Sequence, residues 1–145
     1  MNFFDAIQSS GSGLSAQRIR MNLITNNLAN SQTTKTAEGG PYKRKLAVFT
    51  TQPLETDFDS VLKGKMGQAS SEVKVSEIVD DKRQPLLKYD PMHPDADADG
   101  FVAMPNINIT EEMVDMLSAS RSYEANVTAI STTKAMVFKA LEIGR

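Results

Sequence analysis

Asp95, Asp97 and Asp99 alternate with small residues and lead into Gly100, the densest set of potential metal ligands in the chain. With Gly100 they fall on positions one, three, five and six of an EF-hand calcium loop, and Val102 suits its hydrophobic eighth position. The twelfth position should bring a bidentate glutamate, and here it is Asn106. Pro91 and Pro94 exclude the helix that would enter such a loop. The stretch therefore reads as a polar connector into the C-terminal segment, with Gly100 free to take a turn conformation. A small acidic metal-binding module on residues 91–106 is the rival reading. His93, the only histidine, stands between two prolines and reads as a turn residue satisfied by backbone.

Other chemistry is thin. There is no cysteine, which excludes disulfides, thiolate zinc sites and cysteine nucleophiles. No G-x-S-x-G, P-loop or H-E-x-x-H occurs. No residue set nominates a reaction, so neither enzyme activity, a cofactor nor a metal is expected. The net charge of -2 gives no global basic field for nucleic acid. The basic run Lys43, Arg44 and Lys45 reads as a strand edge protected by charge. No stretch reaches the ~18 apolar residues of a membrane span. The first residues, with an acid at Asp5 and no adequate apolar core, do not read as a secretory signal.

The elements that must carry any function lie at the two ends. Residues 1–30 read as a helix, with Ile7, Leu14, Met21 and Leu28 at seven-residue steps and Asn2 as its cap. Gly11 and Gly13 oppose the helix by about 1 kcal/mol each; the unbroken heptad phase suggests that another backbone comes close there. Residues 108–145 read as a stronger helix. Asn108 is its cap, Glu111 stands three residues on, and Gly144 is the stop. Met116, Tyr123, Ile130 and Val137 repeat every seven residues, with Met113, Val127 and Leu141 expected on the neighbouring seam position. Tyr123 is expected to sit in the seam with its hydroxyl pointing outward.

Residues 31–107 hold all the prolines, and 42–52, 71–79 and 85–90 read as short strands. Residues 62–71 read as a loop. The expected fold is α+β. Two long terminal helices pair as an antiparallel coiled coil, the discontinuous unit 1–30 and 108–145, with a β-rich segment, 31–107, inserted between them. Ala16, Ile19 and Leu23 make a second apolar stripe on the first helix, and the end of the last helix is apolar almost all round. One hairpin cannot bury all of this, and surplus apolar surface marks an interaction site. Asn26, Asn27 and Asn30 cluster where the apolar period stops. They are expected to end the first helix and to satisfy backbone groups at its junction with the β-rich segment or a neighbouring subunit.

Several of these stretches carry a family resemblance. "SGLSAQ" followed by "NNLANSQTT" resembles the N-terminal signature of bacterial flagellar axial proteins, shared by rod, hook and hook-associated members. "GPYKRK", "DPMHPDADADGFVAMPN" and "SASRSYEAN" are similar to blocks of its proximal-rod branch, in which Phe101 stands where that pattern prefers tyrosine. The resemblance implies a structural subunit of the flagellar basal-body rod, assembling through its terminal helices with copies of itself and other rod subunits. It also implies export as an unfolded chain by the flagellar type III apparatus, without a cleaved signal, and assembly in the periplasmic space. Another axial rod protein is the alternative within the family. The expected assembly residues are Leu14, Met21, Asn26, Asn27, Leu28, Asn30, Met116, Tyr123, Val127, Ile130, Val137 and Leu141.

Overall fold

The structure, a computed structural model, describes residues 3–53 and 71–143. The Asn2 cap, most of the 62–71 loop and the Gly144 stop lie outside the described residues. Two long helices dominate: α1, Phe3–Ala29, and α2, Ile109–Ile143. They run antiparallel, as three cross-helix contacts show: Gly13 to Asn126, Arg20 to Asp115, and Asn27 to Glu112. The α+β expectation, with a small antiparallel strand region between the two helices, matches this architecture.

Local chemistry sets the helix ends. Asn108 Oδ1 accepts the Thr110 N–H at 3.0 Å, a side-chain cap for a free N-terminal donor. At the end of α1, Asn30 donates to the Asn26 carbonyl from both its backbone N–H and its Nδ2, at 3.1 and 2.9 Å. Ser31 Oγ donates to the Leu28 carbonyl at 2.8 Å. These bonds occupy carbonyls that no further helical turn will take.

Among the described residues, four strands form two separate antiparallel ribbons. β1, Lys45–Pro53, pairs with β2, Ser71–Asp80, from Lys45 opposite Asp80 to Pro53 opposite Ser71. The register slips at Val48, which faces Glu77 while Phe49 faces Val75. The extra residue is Ser76, and its hydroxyl donates to the Val48 carbonyl at 3.2 Å, so the bulge is satisfied locally. This ribbon packs along α1. Ser12 Oγ accepts the Val73 N–H at 3.0 Å while donating to the Ser9 carbonyl at 2.8 Å.

β3, Leu86–Tyr89, pairs with β4, Phe101–Met104. The first three strands fall where their residues suggest. The fourth is a strand that residues 101–104 do not announce. Phe101 pairs with Tyr89, and their rings meet edge to face with centroids 5.3 Å apart. Residues 90–100 are thus the loop of a hairpin. Gly100 closes it with φ of 80°, and a Cβ there would lie 3.0 Å from Tyr89 Cε2, so both conformation and space require glycine.

The core is small. Its buried apolar residues are Ala16, Leu23 and Ile24 on α1, Ala119 on α2, and Val102 and Ile107 on the approach to α2. The buried face of α1 therefore includes the Ala16 and Leu23 stripe, while Leu14, Met21 and Leu28 are half-buried on its flank. On α2, Met116, Tyr123, Ile130 and Val137 are half-buried in the seam. The residues that alternate with them are Glu112, Ala119, Asn126 and Thr133. This corrects the expected neighbouring position, because Met113, Val127 and Leu141 are 56%, 45% and 66% exposed. The reason is close approach. Gly13 leaves room for Asn126, whose Nδ2 would stand 3.0 Å from any added Cβ, and small or polar residues fit where large apolar ones would force the helices apart. Gly11, by contrast, faces nothing within 4 Å.

Candidate functional site

The most developed side-chain constellation lies where the end of α1, the segment 42–45 and the start of α2 converge. Asn27 is 1% exposed. Its Nδ2 donates to the Lys45 carbonyl at 3.0 Å and to Glu112 Oε2 at 3.2 Å. Its Oδ1 accepts the Lys45 N–H at 2.9 Å and the Tyr42 hydroxyl at 3.2 Å. Both donors and both acceptor sites of the amide are used. Asn27 thereby acts as an extra rung for the first residue of β1, bonding both backbone groups of Lys45.

Glu112, also 1% exposed, is held on its other oxygen by Arg44, which donates from Nε to Oε1. Arg44 also reaches Asp115 Oδ2 at 3.4 Å, and Arg20 donates to Asp115 Oδ1 at 3.1 Å. The charges form one chain across three segments: Glu112, Arg44, Asp115, Arg20. A buried carboxylate is tolerable only with such partners. Burial, helped by the Asp80 and Glu112 carboxylates, pushes the Tyr42 phenol above its ordinary pKa, which keeps it a donor to Asn27. Nearby, Asp81 takes the Arg83 N–H at 3.0 Å and its Nε at 2.8 Å. These bonds hold its carboxyl below the usual carboxylate range. The Asp81 N–H donates to the Arg44 carbonyl at 2.7 Å, so this pair braces the backbone that presents Arg44.

A cleft of ≈ 320 Å³ opens beside this network, lined by Arg20, Ile24, Arg44, Phe49, Glu112 and Asp115 among others. Arg20, Arg44, Glu112 and Asp115 are committed to one another. The chemistry of the arrangement is cohesion.

Two of the three aspartates are engaged, one by a distant hydroxyl and one by its own turn. Asp95 Oδ2 accepts the Thr34 hydroxyl at 2.8 Å, and Asp97 Oδ1 accepts the Ala98 N–H at 2.8 Å. His93 Nδ1 accepts the Asp95 N–H at 3.1 Å, as a turn residue would. Among the described residues, no group of three His, Cys, Asp or Glu side chains converges as metal ligands would.

The expected assembly residues divide into three sets. Asn27 is in the buried network, and Asn30 closes the helix end with Asn26, whose side chain is exposed. Leu14, Met21, Leu28, Met116, Tyr123, Ile130 and Val137 line or flank the helix seam, half-buried. Val127 and Leu141 face outward. Glu112, Arg44, Tyr42 and Arg20 escape a reading of the sequence. Glu112 looks like one of several acids favouring the helix dipole, and Arg44 like part of a surface basic run. Their pairing spans 68 residues, and no local spacing announces it.

Two family models match at the two ends of the chain. One, flagella basal body rod protein, covers residues 7–35, and the other, flagellar basal body rod FlgEFG protein C-terminal, covers 98–143. Relatives matched over nearly their whole length include several flagellar basal-body rod proteins FlgC. The Bacillus subtilis protein is 45% identical, with 100% of both chains covered. The Borreliella burgdorferi protein is 43% identical over 99% of this chain and 98% of its own. The Salmonella typhimurium protein is 38% identical over 100% and 98%. The chain belongs to the FlgC family of flagellar basal-body rod proteins. The stretches matched by the rod-family models contain most of both helices and, with them, Asn27 and Glu112.

Proposed function

We propose that the chain is a non-catalytic building block of the proximal rod, packing α1 and α2 laterally against neighbouring copies and other rod subunits to make a stiff tube. The observation that carries this reading is the outer face of α2. Met113, Leu117, Val127, Phe138 and Leu141 are between 45% and 66% exposed along one helix, and large apolar side chains exposed together mark an interaction site. The half-buried Leu14, Met21 and Leu28 on α1 extend the surface that neighbours would complete. Export through the flagellar type III apparatus without a cleaved signal, and assembly in the periplasmic space, belong to the same reading. The absence of cysteine suits a chain that must be threaded unfolded and fold without disulfides.

Val127 and Leu141 supply the test, because they are exposed in the single chain. Val127→Asp/Leu141→Asp is expected to leave the purified chain's melting within about 0.5 kcal/mol of wild type. In cells it should be exported yet fail to enter basal bodies, with motility lost. Normal motility from this double variant would remove the outer face of α2 from the assembly.

A further inference from the structure

The two helices differ in length, and the excess lies at one end. Gly13 faces Asn126; fourteen residues on, Asn27 faces Glu112, fourteen residues back along α2. Continued the other way, the same pairing sets Phe3 level with Met136, so α2 runs seven residues beyond the described start of α1, to Ile143. Seven residues is one heptad. If α1 slid by one heptad toward the C-terminus of α2, it would remain paired along its whole length, now over the segment carrying the exposed Phe138 and Leu141. The apolar rows do not oppose this, because Met116, Tyr123, Ile130 and Val137 repeat every seven residues and map onto one another.

The polar residues do oppose it. In the shifted register Asn27 would lie opposite Ala119, and Glu112 would lie beyond the end of α1. The Asn27–Glu112 hydrogen bond, the one bond of Asn27 that crosses to α2, and the buried carboxylate of Glu112 admit one alignment only. We infer that Asn27 and Glu112, with Arg44 clamping the second carboxylate oxygen, are a register pin that fixes the axial alignment of α1 on α2, where the apolar seam alone leaves two alignments open. A polar residue at a coiled-coil core position sets register at a cost in stability. The pin is a property of the single chain and holds independently of the proposed role in the rod.

Disulfide trapping in the dilute full-length chain tests it. The chain has no cysteine, so introduced thiols are the only ones. Gly13→Cys/Asn126→Cys reports the observed register, and Gly13→Cys/Thr133→Cys reports the shifted one. Thr133 lies about 10 Å from Asn126 along the helix, outside the ~7 Å Cα separation that a disulfide spans. With Asn27 and Glu112 intact, the first pair should oxidise and the second should lag by more than about tenfold, a ratio equal to about 1.4 kcal/mol. In an Asn27→Leu/Glu112→Leu background of wild-type helicity, the two yields should approach each other. If that background loses helicity, Glu112→Leu alone replaces it, since Asn27 then keeps Lys45 and Tyr42. Three results would overturn the pin: equal trapping of both pairs with the native residues present, no trapping of the first pair there, or a helical pin-less variant that still traps only the first.

Discussion

The two ends of the helix pair are built on opposite principles. At the junction end, the side chains of Asn27 and Glu112 are buried and every polar atom has a partner. At the other end, α2 continues past the described start of α1, and Phe138, Leu141 and Ile143 lie in the open at 55%, 66% and 87% exposure. Buried polar groups are worth little net stability but tolerate few geometries. Exposed apolar groups tolerate many geometries and gain free energy only when something covers them. On the proposed reading, one end therefore defines how α1 is aligned on α2, and the other supplies surface for association. A single chain can do both because the connection, residues 30–108, returns at the junction end and brings Tyr42, Arg44 and Lys45 with it.

The largest expected effect breaks the junction. Arg44→Leu leaves Glu112 as a buried carboxylate without its main cation, and about 3–5 kcal/mol of stability should be lost. Arg44→Leu/Glu112→Leu should recover most of that loss, because the uncompensated charge goes with its partner. Denaturant melts of the two variants check this. If the double variant is no better than the single one, the charge pair is not what holds the junction.

A smaller contrast sharpens the account of the other end, where two glycines two residues apart meet different surroundings. Gly11→Ala meets nothing within 4 Å and should stabilise α1 by up to ~1 kcal/mol through helix propensity alone. Gly13→Ala places a Cβ 3.0 Å from Asn126 Nδ2, so the same propensity gain should be cancelled or reversed. Thermal melts that ranked the two alike would mean that the helices are not close at Gly13.

The smallest effect is one of pH. The Tyr42 phenol has a raised pKa in the folded chain. Its contribution is therefore complete below the unfolded value of 10.0 and is lost as pH rises through the folded value. Tyr42→Phe removes the hydrogen bond to Asn27 and should cost about 1 kcal/mol near neutral pH. The gap between the two proteins should narrow above about pH 10. Asp81 acts with the opposite sign. Its lowered pKa stabilises above the usual carboxylate value and is lost as pH falls through the folded one. Its place at the surface beside the exposed Arg83 makes that contribution slight. Melting of wild type and Tyr42→Phe across the alkaline range reads the first effect; a gap that widened with pH would contradict the assigned direction.

What the sequence determined by itself was local. Heptad steps, the Asn108 cap and the asparagine cluster define two long helices and where one ends and the other begins, because those signals act within a turn or two of the chain. The Pro91 and Pro94 positions and Gly100 exclude an EF-hand and announce a turn for the same reason. Tertiary structure decided which stripe of each helix turns inward. Periodicity supplies faces but does not say which neighbour a face meets, so Val127 and Leu141 looked like seam residues while Glu112 and Asn126 occupy the seam. It also decided that Phe101–Met104 becomes a strand, because four residues have no conformation of their own until Leu86–Tyr89 lies beside them. The pairing of Arg44 with Glu112 is the clearest case. An ion pair between residues 68 positions apart depends on the whole path of the chain between them, and Coulomb attraction at the surface of an unfolded chain is too weak and too screened to leave any trace in local sequence.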